Sequence, residues 1–367
     1  MNAADIQTPI EADLARSLKK RGPPLIVNPL QASPWVAMSL LQKAIRRGRE
    51  DLALRAAATL LRDAPERLWR RLGCIALEDI GLGDLAAVQM ATAALEGARS
   101  RTKLGGDWAV ASCVVSRLSA AIKCRAADDL LMVSDLHPAY QRQRAEWRGA
   151  PLADLLAILS SDEPIEIRAV ALHHAIGGAR NSFALPRRRA QAMAVFDHLT
   201  DAGAPSPWVE IARLNYRRTG EPLAPLVALL SRELAGTARI LSDLLPQETM
   251  IGDIPGWAYD LFSREGRLCL ERFLNTGAPA AMWIHRRVRP SRRIAFLGHI
   301  VFRVEGGLVD RRLCWPLAIR LRAQGDAECS RDWGDASEVL SLMRDDMEEL
   351  NEVRTGLTKG VAGRPLL

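Results

Sequence analysis

The sequence of 367 residues lacks several features that would place it in a common functional class. Its six cysteines include no Cys-x-x-Cys pair and its six histidines are scattered, so their spacing predicts no metal site. No apolar run reaches the roughly 18 residues that a membrane span requires, and Met1 to Lys19 lacks the apolar core of a signal peptide. We therefore expect a cytoplasmic protein without a membrane partner, metal or cofactor.

Sustained alternation of apolar and polar residues, the pattern of a half-buried β-strand, is missing as well. Leucine, alanine and arginine dominate instead, and these residues favour helix. A hydrophobic fraction of 48% and a charged fraction of 25% are ordinary for a globular chain, and the length suffices for two domains. The sequence predicts an all-α fold. Its net charge of +7 permits binding to a phosphate backbone without establishing it.

The clearest local pattern runs from Ser33 to Leu95. Ser33 followed by Pro34 predicts a helix start, because serine accepts a hydrogen bond from an orphan N–H and proline has none to satisfy. Gly48 suits the left-handed end of that helix. The apolar positions between them recur at helical spacing: Trp35, Met38, Leu41 and Ile45. The whole stretch is predicted as a run of helices.

A turn with three acidic residues, Glu78, Asp79 and Asp84, interrupts this run. Asp84 is predicted to cap a helix from Leu85 to Arg99, and Asp79 to satisfy nearby backbone amides. The neighbouring carboxylates of Glu78 and Asp79 also suit magnesium in principle. We favour the capping interpretation, in which all three acids form a structural turn.

Two runs in this region carry a resemblance to a known family. The first is Gln-Lys-Ala-Ile-Arg-Arg-Gly at 42–48, followed by residues 51–57; the second is Leu-Trp-Arg-Arg-Leu at 68–72, followed by Ile75-Ala76 and by Glu-Asp-Ile-Gly-Leu-Gly-Asp at 78–84. Over residues 38–95 the chain resembles RarA/MgsA-type AAA+ ATPases associated with replication. In that family the segment belongs to a helical C-terminal region, related to the collar of clamp loaders, that holds subunits together.

The ATPase part of that family is not found in the sequence. Those enzymes need a Gly-x-x-x-x-Gly-Lys-Ser/Thr loop, whose amides and lysine hold the nucleotide phosphates. Lys359-Gly360 lacks the glycine spacing of such a loop. The resemblance therefore implies a collar-like domain without a motor, acting in DNA replication or repair. Its implied partners are replication or repair proteins, a second copy of the chain, and DNA.

Helix breaks in the sequence predict four parts. These are a flexible tail over residues 1–32, a collar-like domain over 33–149, a second domain of paired helices over 150–354, and a tail over 355–367. Within the first tail, Glu11 to Lys20 is predicted as a short helix. Trp108 to Ile122 is apolar nearly all round, which predicts a helix buried in a bundle or at a subunit interface. Trp257 to Asn275 is predicted as one long amphipathic helix.

Between His285 and Arg322 the charge is strongly positive, with ten arginines against two acids. Arginine binds phosphate bidentately, so the first half of this stretch predicts contacts with DNA. The residues assigned to phosphate are Arg286, Arg287, Arg289, Arg292 and Arg293. Trp283 and Trp315 flank the stretch and are predicted to supply stacking surfaces.

From Asp326 to Glu352 the charge reverses, with ten acids against two arginines. Three interpretations stay open. The two stretches pair with each other, the basic one binds nucleic acid, or the acidic one recruits a partner. Exposed ion pairs contribute about 0–1 kcal/mol each, so mutual pairing would orient helices more than stabilise them. An acidic segment over a basic groove would also compete with DNA.

These patterns predict a non-catalytic assembly or adaptor protein of DNA replication or repair, with DNA binding through the arginine-rich surface. The alternative is an enzyme of unrecognised type with a site between two helical domains, for which Glu265 or the pair Glu78 and Asp79 would supply the acids. A helical scaffold without a nucleic-acid role is a third possibility. The sequence shows no Ser/His/Asp or Cys/His arrangement and no Gly-x-Ser-x-Gly elbow.

Overall fold

The computed structural model describes residues 3–177, 189–234, 236–327 and 336–361. Helices account for 72% of the chain and strands for 3%, so the predicted all-α class is confirmed. None of the helices in these ranges is both long and apolar enough to cross a bilayer.

Twenty α-helices occur in the described ranges. The first ten are α1 (Ala3–Arg21), α2 (Pro34–Arg46), α3 (Glu50–Asp63), α4 (Pro65–Ile75), α5 (Leu85–Ala94), α6 (Ala98–Lys103), α7 (Asp107–Ala120), α8 (Ala126–Leu136), α9 (Gln141–Glu146) and α10 (Leu152–Ser160). The others are α11 (Ile165–Ala175), α12 (Arg189–Asp201), α13 (Ser206–Thr219), α14 (Leu223–Leu230), α15 (Arg264–Phe273), α16 (Pro279–Arg287), α17 (Arg293–Val301), α18 (Pro316–Ala327), α19 (Ala336–Asp345) and α20 (Met347–Val361).

Shorter elements connect these helices. Four short strands in the described ranges form two antiparallel pairs: β1 (Arg239–Leu241) with β4 (Arg312–Cys314), and β2 (Met250–Ile251) with β3 (Ile254–Pro255). Two single turns of the described residues are π-helical, at Ala76–Ile80 and Phe302–Gly306. The same part of the chain has five 3-10 turns, at Gly81–Gly83, Pro138–Tyr140, Ser231–Glu233, Gly256–Ala258 and Pro290–Arg292.

The chain divides into two compact units, and each is assembled from three separate segments. Unit 1 comprises Met1–Pro24, Trp69–Leu241 and Arg311–Glu328; unit 2 comprises Leu25–Leu68, Ser242–Asp310 and Cys329–Leu367. Residues 149 and 150, where a domain boundary is predicted from sequence, both lie inside unit 1. Helix breaks mark local ends of elements, whereas the units are set by packing between segments far apart in the chain.

Unit 1 is a helical bundle in which α8 packs against α11, α14 and α18. The residues predicted as an N-terminal tail contribute α1, which is longer than the predicted helix over 11–20. Ile10 and Leu14 of α1 are buried, and the helix packs against α5 and α7. Helix α7 buries Val110, Val114 and Leu118 within this unit, as the apolar pattern predicts for a helix in a bundle.

Unit 2 is built from two groups of helices. Helices α2 and α3 pack along each other, and α2 begins where Ser33 Oγ accepts a 3.4 Å hydrogen bond from the N–H of Val36, with Pro34 in the first turn. The second group is α15, α16, α17, α19 and α20, whose apolar faces share one core. Phe273, Ile284 and Leu350 are fully buried in that core.

The prediction of one helix from Trp257 to Asn275 is wrong at its start. The chain makes a 3-10 turn at Gly256–Ala258, and α15 begins at Arg264 after Ser263, whose Oγ accepts a hydrogen bond from Gly266 N at 3.0 Å. Trp257 is 2% exposed, so its apolar character reflects burial in a turn. Apolar spacing alone does not separate a buried turn from a helical stripe.

Candidate nucleic-acid interface

A group of arginines, most of them exposed, lies where α16 ends and α17 begins in unit 2. We call it the arginine corner; its members are Arg286, Arg287, Arg289, Arg292 and Arg293. The corner forms because Val288, 2% exposed, ends α16 and anchors the chain in the core, and Pro290 then opens a 3-10 turn. No acidic residue occurs in the sequence from Arg272 to Val304, so the corner has no acid close to it along the chain.

The members of the corner differ in what their side chains do. Arg286 and Arg289 are exposed, and the side chain of neither contacts a hydrogen-bonding or ion-pairing partner in the described part of the chain. Arg293 turns back: Nε donates to the carbonyl of Val288 at 2.9 Å, and a terminal nitrogen to that of His285 at 3.0 Å. Arg293 thus satisfies carbonyls at the end of α16, which is a structural role.

Arg287 belongs to a small group with Trp283 and Glu338. Its guanidinium carbon lies 4.7 Å from the centre of the Trp283 ring, and a terminal nitrogen lies 3.6 Å from one carboxylate oxygen of Glu338. The same oxygen accepts a 2.7 Å hydrogen bond from the indole N–H of Trp283. Glu338 is on α19, in the predicted acidic stretch. The oppositely charged stretches therefore do pair at this point.

His299 is the titratable side chain that follows the arginine corner along α17. His299 is exposed, and its pKa is lowered from the ordinary 6.5 because part of the ring is desolvated and the cations Arg303 and Arg292 lie nearby. Arg292 also immediately precedes the N-terminus of α17, where the helix macrodipole disfavours a cation by about 0.3–1 kcal/mol.

The two tryptophans predicted to stack on bases are both buried, so that prediction is wrong. Trp283 is 4% exposed and lies face to face with Phe296, with ring centres 6.0 Å apart; Trp315 is 2% exposed. The arginines of the predicted stretch from residue 311 onward belong to unit 1. There Arg320 pairs with Glu166 at 3.1 Å. The arginine corner lies in the part of the basic stretch that belongs to unit 2.

The acidic turn of unit 1 has structural contacts throughout. Asp84 caps α5, because its Oδ1 accepts a hydrogen bond from Ala87 N at 3.0 Å, and its carboxylate also pairs with Arg117 at 2.6 Å. Gly83 lies directly against the chain before α8, where an added Cβ would be 2.2 Å from the carbonyl oxygen of Ile122. The glycine is required by this close approach of two backbones.

Asp79 is fully buried in an ion-pair cluster. Arg125, 3% exposed, forms hydrogen bonds with Asp79 and Asp128 and lies 3.5 Å from Glu78. Burial opposes the charge of Arg125, but the surrounding acids outweigh it and raise its pKa. The guanidinium occupies the centre of the cluster. In the described ranges no group of three or more metal-ligating side chains is placed to hold an ion.

Glu265, the other candidate acid, lies in the first turn of α15, where the helix macrodipole favours a carboxylate. Its neighbours are Tyr259 and Cys269. Burial first, and the charge of Glu265 in addition, raise the pKa of Tyr259 to about 12 and that of Cys269 to about 11. Both groups are therefore protonated at neutral pH, and neither supplies a nucleophile beside Glu265.

A buried ionic network in unit 2 was not anticipated from the sequence. Lys43, 5% exposed, donates to Asp260 at 2.7 Å, to Ser39 Oγ at 3.0 Å and to the carbonyl of Trp257 at 2.8 Å. Burial disfavours the Asp260 carboxylate, but Lys43 outweighs this and lowers the pKa of Asp260. Burial lowers the pKa of Lys43 from its ordinary value, and the adjacent Asp260 carboxylate opposes this shift. All three acceptors of Lys43 lie within the fold, which gives it a structural role.

A second pair belongs to the same network. Glu305, 5% exposed, accepts two hydrogen bonds of 3.1 and 2.8 Å from Arg354, which is 1% exposed. Burial disfavours the carboxylate, but Arg354 and, to a smaller extent, Arg47 lower the pKa of Glu305. One signal was present in the sequence. Arg46 and Arg47 directly follow Ile45, the last residue of the apolar stripe, and buried cations require acids from elsewhere in the chain.

Comparison with protein-family models, with curated proteins and with solved structures finds no match to this chain. The resemblance of residues 38–95 to the RarA/MgsA collar region therefore stays a prediction from the residues quoted above. The arginine corner points to a function more directly, because Arg286 and Arg289 are exposed to solvent and Arg287 already contacts a carboxylate.

Proposed function

We propose that this protein is a non-catalytic assembly or adaptor protein of DNA replication or repair that holds DNA through the arginine corner. The observation that carries the proposal is the solvent exposure of Arg286 and Arg289. Both are exposed, and neither side chain is engaged by the described part of the chain. Neither charge is used in a contact within the described residues, so both guanidinium groups are available to an external anion.

Phosphate is the anion that this corner fits best. A guanidinium presents a planar fork of N–H donors that matches two phosphate oxygens, and several such forks close together follow a backbone with regular charge. Contacts of this kind position a protein on DNA without reading its sequence. The net charge of +7 adds a general attraction to the polyanion at low salt.

The setting in replication or repair comes from residues 38–95 and their resemblance to a collar region. In RarA/MgsA-type ATPases that region holds subunits together. The likeness supports assembly with replication or repair proteins, or with a second copy of this chain, in the cytoplasm. DNA binding by unit 2 would then bring those partners to their substrate.

Replacing Arg286 and Arg289 together with alanine tests the proposal. Each phosphate contact contributes about 0.9 to the slope of log affinity against log salt, so the double variant should lower that slope by about 2. At 0.1 M salt the same two contacts correspond to a loss of about 60-fold. The measurement is fluorescence anisotropy with a labelled duplex of about 25 base pairs, repeated over a series of salt concentrations.

The matched control removes the same charge from unit 1. Arg70 and Arg99 are also exposed, and replacing both with alanine should weaken binding by no more than about twofold, through net charge alone. If both double variants lower affinity equally, binding is a property of overall charge and the assignment to the corner is wrong. If the unaltered protein does not bind duplex at low salt, the proposed function is wrong.

A further inference from the structure

Phe262 is an aromatic side chain that the fold leaves in solvent. It is 77% exposed and lies in the turn that leads into α15. Burying a phenylalanine side chain is favourable, and at this position the fold does not make that gain. Isolated exposed apolar residues are ordinary on protein surfaces, so exposure alone assigns no role. The turn that carries Phe262 and the surface beside it are what distinguish this residue.

The turn is held by a dense set of contacts. Asp260 Oδ1 accepts a hydrogen bond from the N–H of Phe262 at 2.9 Å, and the carbonyl of Asp260 accepts one from Ser263 N at 3.2 Å. Asp260 is itself fixed by the buried Lys43 at 2.7 Å. At Gly266 an added Cβ would be 2.1 Å from the carbonyl oxygen of Asp260, so the first turn of α15 is pressed against the same backbone. Phe262 is therefore presented on a rigid support.

The same turn packs against α17, the helix whose first residue, Arg293, belongs to the arginine corner. An added Cβ on Gly298 would be 2.8 Å from the side chain of Leu261, so Leu261 lies directly on that helix. Phe262 follows Leu261, and His299 follows Gly298. His299 in turn lies near Arg292 of the arginine corner. The turn that carries Phe262 therefore packs against the helix that follows Arg292 and begins with Arg293.

We propose that Phe262 stacks on an unpaired base while the arginine corner holds the neighbouring phosphates, so that unit 2 binds single-stranded nucleic acid more tightly than duplex. This inference rests on the proposed function. Single-strand binders combine aromatic rings with cations on the same surface, because every base has a face to stack and every nucleotide a phosphate. In a duplex the bases are already stacked on each other and are closed to the ring.

An anionic lipid surface is the other polyanion that an aromatic ring with cations suits. Stable membrane attachment generally takes a broad apolar face or two separate anchoring signals. Here one ring projects from a turn whose adjoining residues include Ser263, at 1% exposed, and the exposed Arg264. A single ring is enough for one base. The structure therefore favours nucleic acid, and lipid vesicles serve as the competing outcome.

The test compares Phe262→Ala with Phe262→Trp. Stacking on one base is worth about 1–3 kcal/mol, so the alanine variant should bind labelled oligothymidylate about 5- to 150-fold more weakly. Its affinity for duplex DNA and its salt slope should not change, because no phosphate contact is removed. The tryptophan variant should retain or exceed the original affinity. Because Phe262 is mostly exposed, both variants should keep the original thermal midpoint, which circular dichroism checks.

Three results separate this inference from the proposed function. If Phe262→Ala leaves oligothymidylate affinity unchanged while the Arg286 and Arg289 double variant lowers it, the stacking role is wrong and the phosphate site stands. If neither change affects binding to either nucleic acid, the proposed function fails as well. If Phe262→Ala instead reduces binding to phosphatidylserine-containing vesicles alone, the ring is a membrane contact and the inference is overturned.

Discussion

Replacing Arg354 with methionine should destabilise the protein by about 3–5 kcal/mol at pH 7.5. The change keeps much of the apolar stem but removes two hydrogen bonds to Glu305 and one of 2.8 Å to Asn351. Hydrogen bonds to a charged group contribute about 1.5–3 kcal/mol each, so the two to Glu305 alone reach this range. The cost is large because the carboxylate of Glu305 stays buried without its main counter-charge.

The pH dependence of that cost identifies its cause. In the unaltered protein Arg354 holds the pKa of Glu305 below its ordinary value, so Glu305 is ionised and stabilising at pH 7.5 and loses that contribution only below its ordinary range. Without Arg354, burial raises the pKa of Glu305, and folding takes up a proton. The difference in stability between variant and unaltered protein should therefore shrink as the pH falls from 7.5 to 5. Adding Glu305→Gln should also restore part of the loss.

The assay is urea denaturation followed by far-ultraviolet circular dichroism at both pH values. Arg267→Met is the matched control, since Arg267 pairs with Glu271 at 3.2 Å while 61% exposed, and it should cost no more than about 1 kcal/mol. The reasoning is refuted if Arg354→Met costs no more than this control. It is also refuted if the loss is the same at pH 5 as at pH 7.5.

Two further predictions concern unit 1. Burial lowers the pKa of His173 from 6.5 to about 3. Between these two values the ring is protonated in the unfolded chain but not in the folded one, which favours unfolding. Stability should fall by about 1.4 kcal/mol between pH 7.5 and 5.5, and His173→Gln should remove that part of the decline when urea denaturation is compared at the two pH values. Gly83→Ala should cost about 1–3 kcal/mol, because its Cβ would overlap the carbonyl of Ile122. Gly356→Ala, in an open part of α20, should instead stabilise by up to about 1 kcal/mol in the same assay; a loss equal to that of Gly83→Ala would contradict the steric argument.

Local patterns in the sequence were sufficient to predict the fold class and the first residues of particular helices. The all-α class is confirmed, and the starts of α2 and α5 lie where Ser33 and Asp84 accept hydrogen bonds from backbone amides. These features depend on neighbours within a few residues, which a sequence displays directly.

Features that depend on distant residues could not be read in the same way. Whether Trp283 is exposed or buried depends on α17 and α19, and the sequence around it gives no sign of either. Lys43 and Asp260 form an ion pair across more than two hundred residues. For the arginine corner, the sequence identified the charged residues, but the structure was needed to separate the exposed Arg286 from Arg293, which binds backbone carbonyls.

The interleaving of the two units constrains how the chain becomes ordered during synthesis. Leu25–Leu68 emerges early, yet the segments that complete its unit follow after Leu241, and Arg354, which neutralises Glu305, comes later still. Until then its apolar faces are uncovered, and its buried cations Lys43, Arg46 and Arg47 lack the acceptors that Asp260, Gly306 and Glu305 supply. Contacts between segments so far apart in the chain form slowly, and apolar surface stays exposed to solvent for longer. No single cut would release either unit intact, so removal of the last helix should compromise a region that begins more than three hundred residues earlier.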